Sequence, residues 1–476
     1  MKLFWRYTTL LALLAISLSN LATPPTIAAE GTLIAYVSPS RDNQQIHTIN
    51  PADGVDRLVW SLPPGVSREG GIGTLSWRPD ATEIAFDSSH DWQRSLLTRD
   101  LYGVRPNGAG LRRITSPPGP LNTAALPRGT VTLRVENYAG GKNLSAYIDG
   151  GLAPVEFTAP SGSAWEITFT NVPDFGPGVR QYVRVYDRSE TPLGFQCWFD
   201  PAAFADVQPG QVVAAGRLTE LQSTNCPFAF QPTWNADGTA LNYLFRDSSH
   251  NINRPTNIWQ IGANPDPATI GDLVLDMGQF LNSDKLYMQA RSPAPGRQDQ
   301  LLFVQNNYAV TPIYLGTITD LANATFVDVG TCPRASCTVT GLAWLPDGSG
   351  FIFSRSESGP GLTNPPPEGG AIFQYSFAGQ RTDELLRLPG EVIGRLTVSP
   401  DGATIAFERA QQLDGSLSTA TFGPRALCPC SLWLVGRDGG GLRQLTPDGR
   451  APAWSPSAPP ESAPLRPSVW LPLVRH

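Results

Sequence analysis

The chain is poor in the side chains that most often carry catalysis or bind metals, with four histidines and six cysteines among 476 residues. It has no Gly-x-Ser-x-Gly elbow of an α/β-hydrolase and no His-Glu-x-x-His zinc motif. Phosphate-binding loops and dinucleotide fingerprints are missing as well. We therefore expect that the protein is not an enzyme and uses no cofactor, and we assign it no catalytic residue and no metal ligand.

Positive charge and long apolar runs are also scarce. A net charge of −6 with 16% charged residues leaves no basic stripe to neutralise phosphates, so we expect no nucleic-acid partner. Beyond the N-terminus, Pro, Gly or charged residues interrupt every hydrophobic run before it reaches the about 18 to 20 residues that span a bilayer. The sequence therefore predicts no transmembrane segment in the mature chain.

The N-terminus has the pattern of a secretory signal peptide. Lys2 and Arg6 form a basic end, an apolar run covers residues 10–16, and small residues follow. We place the signal peptide at residues 1–29, with cleavage after Ala28 or Ala29. The mature protein is thus expected outside the cytoplasm, in the periplasm, at the cell surface or in the medium.

Cysteine usage fits an oxidising compartment. Proximity along the chain predicts two disulfides, Cys197 with Cys226 and Cys332 with Cys337. Cys428 and Cys430 are open to several interpretations: a strained disulfide, two thiols, or partners for other cysteines. A zinc site is the less favoured alternative for these two, because no histidine and no matching cysteine pair lies nearby.

Glycine and proline are abundant, at 46 and 45 residues, and they punctuate a repeated phrase. An aromatic or apolar residue is followed by Pro or Ala, Asp and a small residue, and then by an Ile-Ala-Phe-like triplet. The copies are 77–80 with 84–86, 234–238 with 241–243, 344–348 with 351–353, and 398–402 with 405–407, with a degenerate copy at 290–293 and 301–303.

Each phrase predicts a β-hairpin, because Pro presets the turn, Asp caps it and Gly takes the conformation that a Cβ hinders. A third and a fourth strand follow in most copies, as in 432–435 and 442–446. Four antiparallel strands make one propeller blade. The equivalent positions 234, 290, 344, 398 and 454 are 54 to 56 residues apart.

The two ends of the chain complete one further unit. Residues 33–36, 46–49 and 56–59 resemble the second, third and fourth strands of a blade that has no first strand, while 451–456 resembles a first strand with no continuation. Pairing them would close the ring and remove exposed sheet edges. The predicted fold is therefore all-β, a six-bladed β-propeller closed by its N- and C-terminal strands.

The interval from position 77 to 234 is 157 residues, about 103 more than the usual spacing. Segments 131–135, 165–169 and 182–186 alternate apolar and polar residues, as half-buried antiparallel strands do. We place an inserted β-sandwich at 121–228, between propeller segments 30–120 and 229–456. The alternative is two more blades, eight in all, which the missing turn phrase disfavours. A Pro-rich linker and apolar tail, either docked on the propeller or a sorting tag, cover 457–476.

The Trp-x-Pro-Asp-Gly turns, the Ile-Ala-Phe strand and the Gly-Gly-Leu-Arg-Gln-Leu-Thr ending at 440–446 resemble the WD-like repeats of the TolB-type propeller family. The resemblance covers about 340 residues. It implies a propeller whose relatives include periplasmic scaffold proteins, gating propellers of serine peptidases and some polysaccharide lyases. We expect this chain to differ from the periplasmic scaffold protein, because its sequence shows no counterpart of that protein's separate N-terminal domain.

One tetrapeptide occurs twice, as Asp87-Ser88-Ser89-His90 and as Asp247-Ser248-Ser249-His250, each just after the second strand of a unit. Turn chemistry and repeat ancestry account for the duplication without a function. The sharper hypothesis is a binding rim for a metal or a sugar, made of Asp87, His90, Asp247 and His250.

We predict a secreted or cell-envelope propeller that acts as a protein- or glycan-binding scaffold, with a protein or polysaccharide of the envelope as its partner. The alternative is a carbohydrate-active enzyme, similar to a polysaccharide lyase, that uses a metal or sugar site on the same rim.

Overall fold

A computed structural model describes most of the chain: 31–39, 43–64, 71–92, 95, 97–115, 125–137, 143–148, 155–158, 163–187, 197–219, 227–246, 256–265, 270–275, 285–306, 311–333, 336–358, 367–410 and 430–456. The described residues contain 31 strands and no α-helix, which confirms the all-β class. The predicted signal peptide, Cys226, Asp247, His250, Cys428 and the tail at 457–476 lie outside these ranges.

The described residues form seven four-stranded antiparallel sheets and one three-stranded sheet, and we number in chain order the six four-stranded sheets that lie outside residues 128–219. Sheet 1 contains β1 (Ile34–Ser38), β2 (Gln45–Ile49) and β3 (Asp56–Ser61), and its fourth strand is the last of the chain. Sheet 2 contains β4 (Ile72–Trp77), β5 (Ile84–Ser88), β6 (Asp100–Val104) and β7 (Arg112–Arg113).

Between sheets 2 and 3 the chain forms β8 (Arg128–Asn137), β9 (Asn143–Ile148), β10 (Val155–Thr158), β11 (Ser163–Pro173), β12 (Arg180–Asp187), β13 (Cys197–Asp206) and β14 (Val212–Thr219). Sheet 3 contains β15 (Phe228–Trp234), β16 (Ala240–Arg246), β17 (Asn257–Gly262) and β18 (Asp272–Leu275). Sheet 4 contains β19 (Lys285–Arg291), β20 (Gln300–Asn306), β21 (Ile313–Thr317) and β22 (Asp320–Val327).

Sheet 5 contains β23 (Ser336–Trp344), β24 (Gly350–Ser358), β25 (Pro367–Ser376) and β26 (Arg381–Pro389). Sheet 6 contains β27 (Val392–Val398), β28 (Thr404–Ala410), β29 (Ser431–Gly436) and β30 (Arg443–Thr446). The final strand, β31 (Arg450–Trp454), belongs to sheet 1.

The six sheets form a ring in which each packs against the next, and sheet 6 packs against sheet 1. Sheet 1 is assembled from both ends of the chain, since β31 pairs antiparallel with β1, with Ile34 opposite Trp454 and Ala35 opposite Ala453. Beyond the strands, the Ser455 amide donates to the Leu33 carbonyl at 2.8 Å. The ends of the described chain are therefore joined through backbone hydrogen bonds.

The repeated turns between first and second strands share one hydrogen-bond pattern. Asp237 Oδ1 accepts the amide of Thr239 at 2.9 Å and its hydroxyl at 2.6 Å, while Gly238 takes a φ of +71°. Asp347 makes the same two bonds to Ser349. The Asp side chain thus holds the turn closed, as the phrase predicts.

Two of the four repeated tryptophans join neighbouring sheets. Trp77 Nε1 donates to the Ala453 carbonyl at 3.0 Å, and Trp344 Nε1 donates to the Ala290 carbonyl at 2.8 Å. Each acceptor lies on the first strand of the preceding sheet. In sheet 4 the residue opposite Leu301, where other sheets carry the aromatic, is Arg291 rather than Ala290.

Strands β8 to β14 form two further sheets, of order β10-β9-β12-β13 and β11-β8-β14. Both contribute to one core, which includes Val131, Leu133, Ile148, Val183 and Val185. The alternating segments predicted here as antiparallel strands form β8, β11 and β12. One pairing differs from the expectation, because β14 runs parallel to β8.

A disulfide joins Cys332, which precedes β23, to Cys337, which lies within that strand. Cys430 is also disulfide-bonded, and none of the described cysteines is free. The pairing of Cys197 with Cys226 stays a prediction, since Cys226 lies outside the described residues. No helix in the described residues is long and apolar enough to cross a membrane.

Candidate functional site

The first strand of every sheet faces the middle of the ring, and each contains a register irregularity. Together these strands enclose a channel of about 120 Å³. All six sheets contribute to its wall: Thr74, Leu75, Gln231, Pro232, Thr233, Met288, Gln289, Gly341, Leu342, Arg395, Leu396, Ala451 and Pro452.

Asp87 holds two of these irregular segments in place. It is the residue after the Ile84–Phe86 triplet, and its side chain points beneath Gly73, where a Cβ would collide with the carboxylate. Its Oδ1 accepts the amide of Thr74 at 2.9 Å and the amide of Gln231, in the next sheet, at 3.2 Å. One carboxylate therefore bridges the first strands of sheets 2 and 3.

Glu408 repeats this arrangement four sheets further along the chain. It follows the triplet 405–407, and it lies beneath Gly394 as Asp87 lies beneath Gly73. Its Oε2 accepts the amide of Arg395 at 3.0 Å, and its Oε1 accepts the amide of Ala451, in sheet 1, at 2.5 Å. Glu408 thus bridges the two sheets at which the ring closes.

In sheet 5 the equivalent position carries an uncharged side chain. Ser354 follows the triplet 351–353, and its hydroxyl donates to the Gly394 carbonyl of sheet 6 at 2.6 Å. In the other three sheets the same position is apolar, occupied by Val37, Leu244 and Val304. The ring can therefore form without a charge at this position.

Three arginines surround the two carboxylates. Arg99 donates from Nε to Asp87 Oδ2 at 2.5 Å, and Arg450 donates to the carbonyls of Ile72 and Gly73. Arg395 lines the channel and is partly exposed. We call Asp87, Arg99, Arg395, Glu408 and Arg450 the mouth cluster, because they lie where the first strands begin.

The electrostatics of the mouth cluster reflect its burial. Burial alone would raise the pKa of Asp87, but the Arg99 charge and the bonds from Thr74 outweigh it and hold that pKa below its ordinary value. Burial lowers the pKa of Arg395. Burial, with the neighbouring positive charge of Arg395, lowers the pKa of Arg450 to about 10. Burial therefore outweighs the nearby carboxylates at Arg395 and Arg450.

The residues proposed for the binding rim are placed differently from the expectation. Asp87 lies within β5 and is buried in the mouth cluster, not on a loop. His90 packs against the rings of Tyr102 and Trp60, with centroids 4.3 and 5.0 Å away, and its Nδ1 lies 3.1 Å from Ser88 Oγ. Because Asp247 and His250 lie outside the described residues, the shared rim stays a prediction.

The inserted strands pack on the segment that joins β5 to β6. The Trp92 and Tyr186 rings meet at 4.8 Å, and Arg184, from the same strand β12, donates to the Trp92 carbonyl at 2.5 Å. Arg113 at the end of sheet 2 lies 3.6 Å from the Asp91 carboxylate. The inserted strands therefore contact the segment that follows β5, the strand that carries Asp87.

No protein-family model matches the chain, and no curated protein does. Among solved structures, the chain is similar to TolB from Acinetobacter baumannii, with 13% identity over 93% of this chain and 70% of that one and a TM-score of 0.37. It is also similar to a puromycin hydrolase, with 13% identity over 91% of this chain and 55% of the hydrolase and a TM-score of 0.40.

An oligogalacturonate lyase in complex with manganese is similar too, with 13% identity over 87% of this chain and 84% of the lyase and a TM-score of 0.34. The chain spans about half the length of the hydrolase and peptidase chains that it matches. The repeats predict a TolB-like resemblance, and TolB is among the solved structures to which the chain is similar.

The prediction that the protein is not an enzyme, which rested on the absence of common catalytic motifs, is wrong. Structures of similar fold include a puromycin hydrolase, a prolyl endopeptidase and an oligogalacturonate lyase as well as TolB. The fold is shared by enzymes and non-enzymes, and missing common motifs do not separate the two.

Proposed function

We propose that the protein is an exported six-bladed β-propeller, residues 30–120 and 229–456, that carries a β-sandwich at 121–228 and binds a protein or glycan of the cell envelope. The ring of six four-stranded sheets and the shared core of the two inserted sheets support this architecture. Residues 1–29 would be removed on export, and 457–476 would form a tail.

We place the binding site at the mouth cluster. The observation that carries this proposal is that two sheets keep a buried carboxylate at a position where three others have Val37, Leu244 and Val304. Burying charge is costly, and an apolar replacement of similar size is often neutral or stabilising. Two buried carboxylates at this position, close to the channel-lining Arg395, are therefore a candidate ligand-binding site.

The experiment uses the mature chain and a panel of neutral, acidic and basic peptides together with neutral and uronic oligosaccharides. Binding is measured by thermal shift and by calorimetric titration. Thr233→Trp blocks the channel, because Thr233 lies in its wall, and Thr325→Trp places the same bulk on the exposed outer strand β22.

The proposal expects at least one panel member to bind the unmodified chain and the Thr325→Trp variant but not the Thr233→Trp variant. Binding that persists with the channel blocked, or no binding by any member of the panel, would contradict it. Export is tested separately by sequencing the N-terminus of the protein recovered from the envelope fraction. It is expected at residue 29 or 30, and an intact Met1 in that fraction would contradict it.

A further inference from the structure

We infer that a cleft between sheets 3 and 4 binds a small zwitterion, meaning a free amino acid or a short peptide that carries both a carboxylate and an ammonium group. The cleft lies at the turns that follow β15 and β19, so it is at the opposite end of the first strands from the mouth cluster. Its volume of about 540 Å³ falls within the roughly 300 to 1,000 Å³ of small-molecule sites. This is a second site, separate from the one placed at the mouth cluster.

Two residues that depart from the repeat meet beside this cleft. Arg291 ends β19 at a position where the other sheets carry an aromatic or apolar residue: Trp77, Trp234, Trp344, Val398 and Trp454. Asn242 is the middle residue of its triplet, which in the other sheets is Ala35, Ala85, Leu302, Ile352 or Ala406. Arg291 Nη1 donates to Asn242 Oδ1 at 2.5 Å. Departures from a repeat that place polar groups inside the fold are costly, so this pair points to a binding role.

Both side chains keep donors that no described residue accepts. Asn242 is fully buried, and its Nδ2 has no hydrogen-bond partner among the described residues. Arg291 is half-buried, and its only other acceptor among the described residues is the Gln298 carbonyl, which takes Nε at 2.8 Å. The Nη2 group of Arg291 is therefore available to a ligand, and the planar fork of a guanidinium fits a carboxylate.

Arg291 also lacks a counterion, since it forms no ion pair with a described residue. Burial lowers the pKa of Arg291, and the charges of Asp237 and Asp299 do not offset that effect. A ligand carboxylate beside Arg291 would supply the missing negative charge through charge-assisted hydrogen bonds, which are stronger than neutral ones. One end of the ligand is therefore assigned to this guanidinium.

The other end is assigned to two exposed carboxylates that line the same cleft, those of Asp237 and Asp299. Hydrogen bonds from Thr239 hold the pKa of Asp237 below its ordinary value, so this carboxylate is charged at neutral pH. The two carboxylates would repel a simple anion, and a simple cation would leave Arg291 without a partner. A ligand that carries both charges satisfies both kinds of group.

An acidic sugar is the competing ligand, because its carboxylate would also fit Arg291 and its hydroxyl groups would face the two aspartates. An ammonium group forms charge-assisted hydrogen bonds to Asp237 and Asp299 from both partners, whereas a hydroxyl donor is neutral. The paired carboxylates therefore favour an amino group over a sugar hydroxyl.

The test titrates the mature chain calorimetrically with alanine, dialanine and trialanine at low ionic strength, where screening is weakest. The ligand that binds most tightly is then compared with two blocked forms, the N-acetyl derivative without the ammonium group and the C-terminal amide without the carboxylate. Galacturonic acid is the competing probe. Varying the ligand leaves the protein intact, so this comparison does not depend on whether a variant folds.

The unblocked ligand is expected to bind about tenfold or more tightly than either blocked form, since hydrogen bonds to charged groups are stronger than neutral ones. Arg291→Met should weaken the unblocked ligand to the level of the amide and leave the amide unchanged, because both changes remove the same contact. Asp299→Asn should weaken the unblocked ligand and not the N-acetyl form. Arg381→Met, at a 71% exposed arginine on β26, should change none of these affinities.

A blocked form that binds as tightly as the unblocked ligand would overturn the inference, and so would no measurable binding by alanine, dialanine or trialanine. If Arg291→Met weakens the amide as much as the unblocked ligand, Arg291 does not hold the carboxylate and the assignment is wrong. Tighter binding of galacturonic acid than of the amino acid and peptides would show that the cleft selects an acidic sugar instead.

Discussion

Replacing Glu408 by Gln should destabilise the ring at its point of closure. The side chain is 2% exposed, and its two oxygens accept amides from β27 and β31 at 3.0 and 2.5 Å. Gln keeps the size but turns one acceptor into a donor that faces an N–H group, so one charge-assisted bond, worth about 1.5 to 3 kcal/mol, is lost. The cluster also gains an uncompensated positive charge, which brings the expected cost to about 3 to 5 kcal/mol.

Urea unfolding followed by tryptophan fluorescence measures this cost. The matched control is Glu384→Gln, at a carboxylate that is 41% exposed on β26 and pairs with Arg387. Exposed ion pairs of this kind contribute about 0 to 1 kcal/mol, so the control should unfold close to the unmodified chain. If the two variants unfold within about 0.5 kcal/mol of each other, the bridging role of Glu408 is wrong.

Three further predictions follow from particular contacts. Asp237→Ala should cost about 1 kcal/mol in urea unfolding, because it removes both bonds to Thr239; a loss below a few tenths would show that the turn holds without it. Burial raises the pKa of Asp100 to about 7, so the folded state binds the extra proton and its stability should fall as pH rises from about 4 towards 8; Asp100→Asn should reduce that fall, and an identical pH profile for both proteins would contradict the assignment. Arg184→Ala should speed amide exchange at Trp92 without unfolding sheets 3 to 6, since it removes the bond from β12 to that residue; unchanged exchange would show that the inserted strands are held by other contacts.

Much of the fold follows from local sequence chemistry. Ala-Asp-Gly at 236–238 and Pro-Asp-Gly at 346–348 encode turns that need no distant partner, so their spacing is visible along the chain. The parallel pairing of β14 with β8 depends on how two distant segments pack, and alternation of apolar residues carries no information about direction. The strand register of sheet 4 could not be predicted from the repeat, because Arg291 occupies the position that is aromatic in most other sheets.

The mouth cluster was harder to predict from the sequence. Asp87 drew notice through the Asp-Ser-Ser-His duplication, yet its structural counterpart is Glu408, which follows Ile405-Ala406-Phe407 as Asp87 follows Ile84-Ala85-Phe86. Comparing the residue after each triplet would have found this pair. The arginines could not be found in that way, because Arg99 precedes a third strand, whereas Arg395 and Arg450 lie at two different positions of first strands.

The ring itself is tested most directly by joining its two ends. Ala35 and Ala453 are opposite each other in β1 and β31, so cysteines introduced as Ala35→Cys and Ala453→Cys would lie within the about 4.4 to 6.8 Å between Cα atoms that a disulfide spans. After mild oxidation of the folded protein, peptide mapping is expected to find these two cysteines joined to each other. If both remain reduced, or pair only with other cysteines, the closed ring and the channel mouth built on it are wrong.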